Sequence, residues 1–457
     1  ILSANTASEA EIVESASGNI LNGNFNAAEK LLSSIDNPSS KQAKQLSKVI
    51  ENYQQLAQER SQGKHKLYEE HLDELNEIRK KAVPTDVNDI DEAFLKVVKV
   101  KNYANQQQEK ELLTSSYVEK LVDNALEKAL EFEREGEWLD AYAHCFYWIT
   151  NLYPDNEEAE QQSERLTQLA MIEMSLKDNS CETSKERHAG ITPKMLIRAV
   201  RALDFSYVSL LDYKEMAKDG VERCILLGQV LYADKEDVAF KVDQSDIDKW
   251  QIGLNEIKNR INSSTEGIKK DDFTNVYAEV LALNTMYLKI PDEVVVAQFS
   301  EGALEALDPF TNLIWPWKVQ EFQKNMTQDF TGIGIHIQKA REGTLTVASL
   351  LPDTPAYKSG LDANDEILAV DGESTKDMTL TCVVSKITGP IGTKVTLTVR
   401  HEGDPKDKTE DITMTRDRIQ VPTIRGWIRG SDDKTEINSN GNLEKAGHGE
   451  WGHMIDS

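Results

Sequence analysis

Within residues 330–400 of this 457-residue chain, apolar side chains alternate with polar ones at Ile333, Ile335 and Ile337 and again at Val395, Leu397 and Val399. A period of two is that of a strand with one buried face. The first run opens on two glycines, Gly332 and Gly334. Between the runs come a strand-like segment at 345–350, a turn at Pro352, a short helix over 355–359 and a stop at Gly360. Residues 367–370 read as another strand, closed by the Asp371-Gly372 turn signal. A helix is expected from about Thr379 to Ile387, ended by Gly389-Pro390. Strands, one short helix and tight turns in so few residues leave room only for a small α+β domain.

The order GIGIHI, TPAYKSGL, DEILAVDG, GPIGT resembles a PDZ domain. The resemblance implies strand addition: a ligand's C-terminal residues pair with the edge strand Ile335-His336-Ile337, and its carboxylate sits in a nest of backbone amides. The amides of Ile333, Gly334 and Ile335 are the donors it carries over, with Gly332 and Gly334 letting the loop turn tightly. Leu380, Val384 and Ile387, at i, i+4 and i+7 on one helix face, would line the groove with Ile335 and Ile337.

The flanks extend the resemblance to the C-terminal processing (tail-specific) serine proteases, over about residues 275–457. Leu307-Asp308-Pro309 matches that family's LDP motif ahead of the glycine loop. Thr415-Arg416-Asp417 to Val421-Pro422-Thr423 looks like the exit from the PDZ domain, and residues 450–456 look like the approach to the catalytic core. The chain departs from the pattern at Phe310 and Thr311, where the family usually has histidine and serine. It departs again at Thr388, where many members have arginine, and in its long helical N-terminal region.

Residues 1–270 read as mostly helical. A first hairpin is expected over 9–32 around Gly23, and residues 52–82 read as an extended, charged amphipathic helix or half of a helical pair, ended by Pro84. Residues 122–159, with Ala129, Phe132, Gly136, Trp138, Ala141, Tyr142 and Pro154, resemble a tetratricopeptide-type hairpin. The two glycine turns are 113 residues apart (136 − 23), no multiple of the roughly 34-residue period of such arrays, so isolated hairpins are expected rather than a solenoid. The aromatic stripe Phe132, Trp138, Tyr142, Phe146 and Trp148 reads as core. Residues 178–187 read as a polar loop, 192–261 as helical with Trp250 buried, 263–267 as a linker, and 425–449 as a long mobile loop or hairpin. The expected organisation is multidomain. Hairpins and long charged helices occupy 1–115, a helical, partly tetratricopeptide-like region 116–270, and a helical lead 271–329. The PDZ domain follows at 330–417, then a linker toward a protease core at 418–457.

A net charge of −26 argues against nonspecific binding to nucleic acid or anionic membrane. No apolar run approaches the ~18 residues that span a bilayer. The expected partners are C-terminal peptides of protein substrates, with protein partners or self-association through the helical arm. The first residue is Ile1, consistent with a removed signal peptide or a fragment, and the resemblance implies a periplasmic or other extracytoplasmic setting. Cys145, Cys181, Cys224 and Cys382 are scattered without zinc spacing and read as core or surface thiols, not a disulfide framework.

No residue is nominated as catalytic, no metal site and no cofactor is expected. The family's serine nucleophile and lysine base lie on a core that follows the PDZ domain. Thr6-Ala7-Ser8-Glu9 only superficially resembles the nucleophile's surroundings. No GxSxG elbow occurs, and His448 and His453 sit in a polar, glycine-rich tail. The resulting expectation is the substrate-recognition and scaffolding portion of a tail-specific serine protease. The alternative is a non-catalytic helical-repeat and PDZ adaptor.

Overall fold

The computed structural model describes residues 8–35, 41–179, 181–233, 238–327, 330–339, 344–376, 378–405 and 407–419, and the strands within 426–429, 434–437 and 443–445. The sequence readings at Thr6-Ala7, at 421–423, at His448 and His453 and at 450–456 lie outside these residues. The chain forms two compact units, Ile1–Ala170 and Met171–Ser457.

The first unit is helical. Ser8 and Glu11 form a capping box that starts the helix Glu9–Leu21. That helix, Phe25–Ser33 and the start of the 39-residue helix Lys41–Arg79 bury Val13, Ala16, Ala28, Leu32, Ala43 and Ile50 together. The far half of the long helix packs on Val87–Tyr103, which buries Ile90, Phe94, Val97 and Val100. The expected hairpin around Gly136 pairs Ser116–Glu135 with Trp138–Ala141, a π turn at Tyr142–Phe146, and Tyr147–Leu152. Of the aromatic stripe, Trp138, Phe146 and Trp148 are buried. Asp91 accepts the indole N–H of Trp148 at 2.6 Å and faces His144 Nδ1 at 2.6 Å, tying the hairpin to Val87–Tyr103.

The second unit opens with helices around Tyr213–Tyr232, on which Gln244–Ser263, Lys270–Leu283 and Asp292–Glu305 pack. Trp250 is fully buried, its indole N–H donating to the Cys224 carbonyl at 3.2 Å. Residues 178–187, expected as a loop, contain the helix Ser184–His188. Thr183 and Glu186 cap it reciprocally, and Ser184, Arg187 and His188 are buried, so its polar residues hold a helix end.

The strands of the β-rich domain follow: β1 Phe330–Gly332, β2 Ile335–Lys339, β3 Leu345–Leu350, β4 Glu366–Val370, β5 Glu373–Ser374, β6 Lys394–Arg400, β7 Glu410–Thr415 and β8 Asp417–Ile419. The main sheet runs β2-β3-β4-β6-β7, all antiparallel, with β5 beside β4 and β1 paired separately with β8. Val347, Ile367, Val395, Leu397 and Val399 meet Val383 and Ile387 of the helix Leu380–Ile387 in one core. In 425–449, read as a loop or hairpin, three short strands, β9 Gly426–Arg429, β10 Lys434–Ile437 and β11 Leu443–Lys445, form an antiparallel sheet in the order β11-β10-β9.

The cysteine reading needs correction. Cys181 and Cys382, 201 residues apart, are joined by a disulfide, while Cys145 and Cys224 are buried free thiols. Among the described residues no helix is long and apolar enough to cross a membrane, and no cluster of three or more His, Cys, Asp or Glu could hold a metal ion.

Candidate functional site: the groove between β2 and the helix Leu380–Ile387

β2 is the edge strand of the main sheet and pairs only with β3 within it. Its free edge, the glycine loop and the helix Leu380–Ile387 enclose a cleft of about 380 Å³. Gly332, Ile333, Gly334, Ile335, Ile337, Val384 and Ile387 all line it. Leu380 does not. It sits one turn nearer the helix start and is 40% exposed. Phe330, Leu351, Thr388 and Ile419 also line the cleft and were not read from sequence. Ile419 belongs there because β8 pairs with β1, placing Ile419 opposite Phe330. No periodicity inside 330–400 could signal that contact, since Ile419 comes from the strand that leaves the domain.

Ile333 and Ile387 are sunk into the core at 1% and 4% exposure and form the floor, whereas Val384 stands 42% exposed at the rim. Seven of the thirteen lining residues are aliphatic and Phe330 adds a ring, while Thr331, Thr388 and His336, its Nδ1 2.9 Å from Ser349 Oγ, bring the polar side chains. The aliphatic part of this surface, Ile337, Val384 and Ile387, rewards an apolar side chain.

The glycine loop is held from below. The Gly334 carbonyl accepts from Leu351 N–H at 2.9 Å and Thr354 Oγ1 at 3.3 Å, and the Ile333 carbonyl from Ala356 N–H at 2.9 Å. Among the described residues, no acceptor is found for the N–H groups of Ile333 and Gly334, the first two of the expected carboxylate donors. Gly334 has φ +83°, and a Cβ there would fall 2.3 Å from Thr354 Cβ, so both backbone and space demand glycine.

The groove helix is fixed at both ends. Thr379 caps its start, accepting from Cys382 N–H at 3.1 Å. At its end Arg416, 9% exposed, donates to the carbonyls of Lys386 (2.7 Å), Ile387 (2.9 Å) and Lys394 (2.7 Å), filling acceptors the last turn leaves open. Arg416 was read only as part of an exit segment; its role depends on the corner between β7 and β8.

The LDP aspartate has a structural place. Asp308 accepts from Thr311 Oγ1 (2.6 Å), the Tyr207 hydroxyl (2.6 Å) and the N–H groups of Phe310 and Thr311. These bonds, led by that of Thr311, lower its carboxyl to about 2. Thr311 supplies a hydroxyl where the family usually has serine.

An edge strand beside a helix, with a glycine loop at their head, defines a PDZ domain, and the PDZ domain family model matches residues 320–400. The chain is 32% identical over 149 residues to a carboxy-terminal-processing protease of Bartonella bacilliformis, covering 32% of this chain and 34% of that protein. It is 28% identical over 181 residues to the carboxy-terminal processing protease CtpA of Bacillus subtilis, covering 39% and 38%. The chain thus spans between a third and two fifths of the length of these relatives. Among solved structures, it is 35% identical to the PDZ domain of a Vibrio cholerae carboxy-terminal protease in complex with peptide. That match covers 20% of this chain and 99% of the other, with a TM-score of 0.19. A photosystem II D1 C-terminal processing protease matches at 18% identity over 51% of this chain and 46% of the other, with a TM-score of 0.22.

Proposed function

We propose that the groove captures the C-terminal residues of protein substrates and that the chain is the recognition and scaffolding portion of a carboxy-terminal processing protease. The observation that carries this reading is the pairing of an open strand edge with an aliphatic cleft, headed by the Ile333 and Gly334 amides. The edge would add the ligand as a further strand, the amides would take its carboxylate, and Ile337, Val384 and Ile387 would take its last side chain. The Cys181–Cys382 bond supports an oxidising, extracytoplasmic setting, where disulfides persist. No residue of 1–457 is assigned as nucleophile or base, and the purified chain is expected to hydrolyse no peptide.

The test is calorimetry with a decapeptide ending in valine, as free acid and as C-terminal amide. Binding of the acid on the order of micromolar is expected, since a few strand bonds and one pocket contribute. Amidation and Val384→Asp should each weaken it at least about tenfold, the first by removing the charge, the second by placing one at the rim. Equal affinity of acid and amide would rule out the carboxylate nest.

A further inference from the structure

The Cys181–Cys382 disulfide joins the groove helix to the helical part of its own unit. Cys181 lies exposed in the turn between Glu157–Leu176 and Ser184–His188; Cys382 lies in the first turn of Leu380–Ile387 and is 3% exposed. Ser385, one turn on, brings its Oγ within 3.8 Å of Cys181 Sγ. An eight-residue helix does not hold itself in water, so its position depends on what it is fastened to. Its fastenings include Cys382, Val383 and Ile387 in the core, the Lys386–Glu373 ion pair at 2.9 Å, Arg416 at the C-terminal end and the disulfide near the N-terminal end. Thr379 and Thr381, at that N-terminal end, line a second cleft of about 410 Å³ with Glu182, Arg187 and Trp317. The helix therefore stands between the peptide groove and a cleft against the helical segment, and the disulfide crosses on the second side.

We infer that this disulfide is a redox-cleavable tether on the groove helix, and that a small thiol reductant lowers the groove's affinity for peptide by opening it. The second half of the inference rests on the peptide-binding reading above. Cys181, the exposed residue of the pair, is the point of attack: a reductant thiolate bonds to its Sγ, the Cys181–Cys382 bond breaks, and the electron pair leaves on Cys382. The leaving thiolate forms in the first turn of a capped helix, where the helix dipole favours negative charge and offsets part of what the burial of Cys382 costs it. A second reductant thiol displaces the first from Cys181. Two protein thiols are formed and two reductant thiols end as a disulfide. Cys145 and Cys224 do not compete, because both are buried and burial raises their thiols, that of Cys145 to about 12. Opened, the helix keeps its core side chains and Arg416 but loses its fastening at the capped end, and the rim at Val384 becomes free to shift.

The full chain, oxidised and after dithiothreitol, is compared by hydrogen exchange and by binding of a fluorescein-labelled decapeptide ending in valine. Reduction should raise amide exchange in Leu380–Ile387 at least about fivefold while β6 is unchanged, and weaken the peptide at least about threefold. Cys181→Ser, which alters an exposed residue, should show both effects without reductant. Titration of all four cysteines as free thiols in the unreduced, unfolded chain would overturn the tether. Unchanged exchange in the helix would overturn it as well. Equal peptide affinity in the two redox states would remove the coupling to the groove. If neither state binds peptide but exchange rises on reduction, the tether stands and the recognition reading falls.

Discussion

At the residue scale, the groove depends on Gly334. It carries two separable demands, a positive φ and the absence of a Cβ, and the same domain offers a control for the first. Gly360 has φ +90° with nothing within 4 Å of where a Cβ would stand, whereas at Gly334 (φ +83°) a Cβ would fall onto Thr354. Gly360→Ala should therefore cost only backbone strain, roughly 1–2 kcal/mol. Gly334→Ala adds a collision with the buried Thr354, whose hydroxyl donates to the Leu351 carbonyl at 2.7 Å, and should cost roughly 2–4 kcal/mol in a urea melt. It should also abolish binding of the valine-ended peptide, because the amide proposed to take the carboxylate moves with the loop. Equal cost for the two substitutions would mean that the Thr354 contact does not constrain the loop.

At the element scale, what the sequence made legible follows from how local each signal is. The strands at 345–350, 367–370 and 395–399 and the helix ending at Ile387 appear where period and turn residues put them, because one buried face imposes a period on its own segment. Val384 and Ile387 were readable as groove residues for the same reason. Leu380 shares their spacing, but the helix begins there and the cleft ends before it. Ile419, Arg416 and the Cys181–Cys382 bond were not readable, since each depends on which distant segment arrives, and spacing holds no record of that. The helix Lys41–Arg79 is the opposite case, legible as a helix yet exposed along its middle, where among the described aromatic residues only Tyr53, stacked on Phe25 at 3.7 Å, meets another ring. Residues 51–67 are exposed throughout, while Ile50 and Leu75 near its ends are buried. A span without a packed face is held by propensity and its neighbours alone, so it should open locally before the rest of the unit. Limited trypsin treatment should cut first after Arg60, Lys64 or Lys66. Gly63, with nothing within 4 Å of its Cβ position and no positive φ, weakens this span. Gly63→Ala should stabilise it by up to about 1 kcal/mol and slow those cuts severalfold, measured as the decay of intact chain. First cuts elsewhere would mean that residues 51–67 are covered in solution.

At the scale of the whole molecule, the chain forms two compact units, Ile1–Ala170 and Met171–Ser457, and residues 171–270 fall in the same unit as the PDZ domain. Amphipathic periodicity shows that a helix has a buried face but not which helix covers it. Here Tyr213–Tyr232 buries Ala217, Val221, Cys224 and Leu227, and Asp292–Glu305 packs on it from beyond residue 270. The Arg223 guanidinium, 3% exposed as a residue, likewise reaches across to Glu301 at 2.9 Å and Gln298 at 3.2 Å. A cut at 270 removes Val294, Val295, Val296, Phe299 and Leu304, all buried. At roughly 1.5–3 kcal/mol for each side chain, the lost burial is on the order of 10 kcal/mol, comparable to the whole stability of a typical domain. It also strands the Arg223 charge without its carboxylate, which adds to the cost. Within residues 1–170, Glu9–Leu21, Phe25–Ser33 and the start of Lys41–Arg79 share one core, and Val87–Tyr103 packs on both Lys41–Arg79 and Ser116–Glu135. The fragment 1–170 should therefore be strongly helical by circular dichroism and melt cooperatively. The fragment 1–270 should bind 8-anilinonaphthalene-1-sulfonate and melt in two stages, the second unit's helices first. A single cooperative melt of 1–270 without dye binding would restore the arm as one folding unit and refute the partition at 170/171.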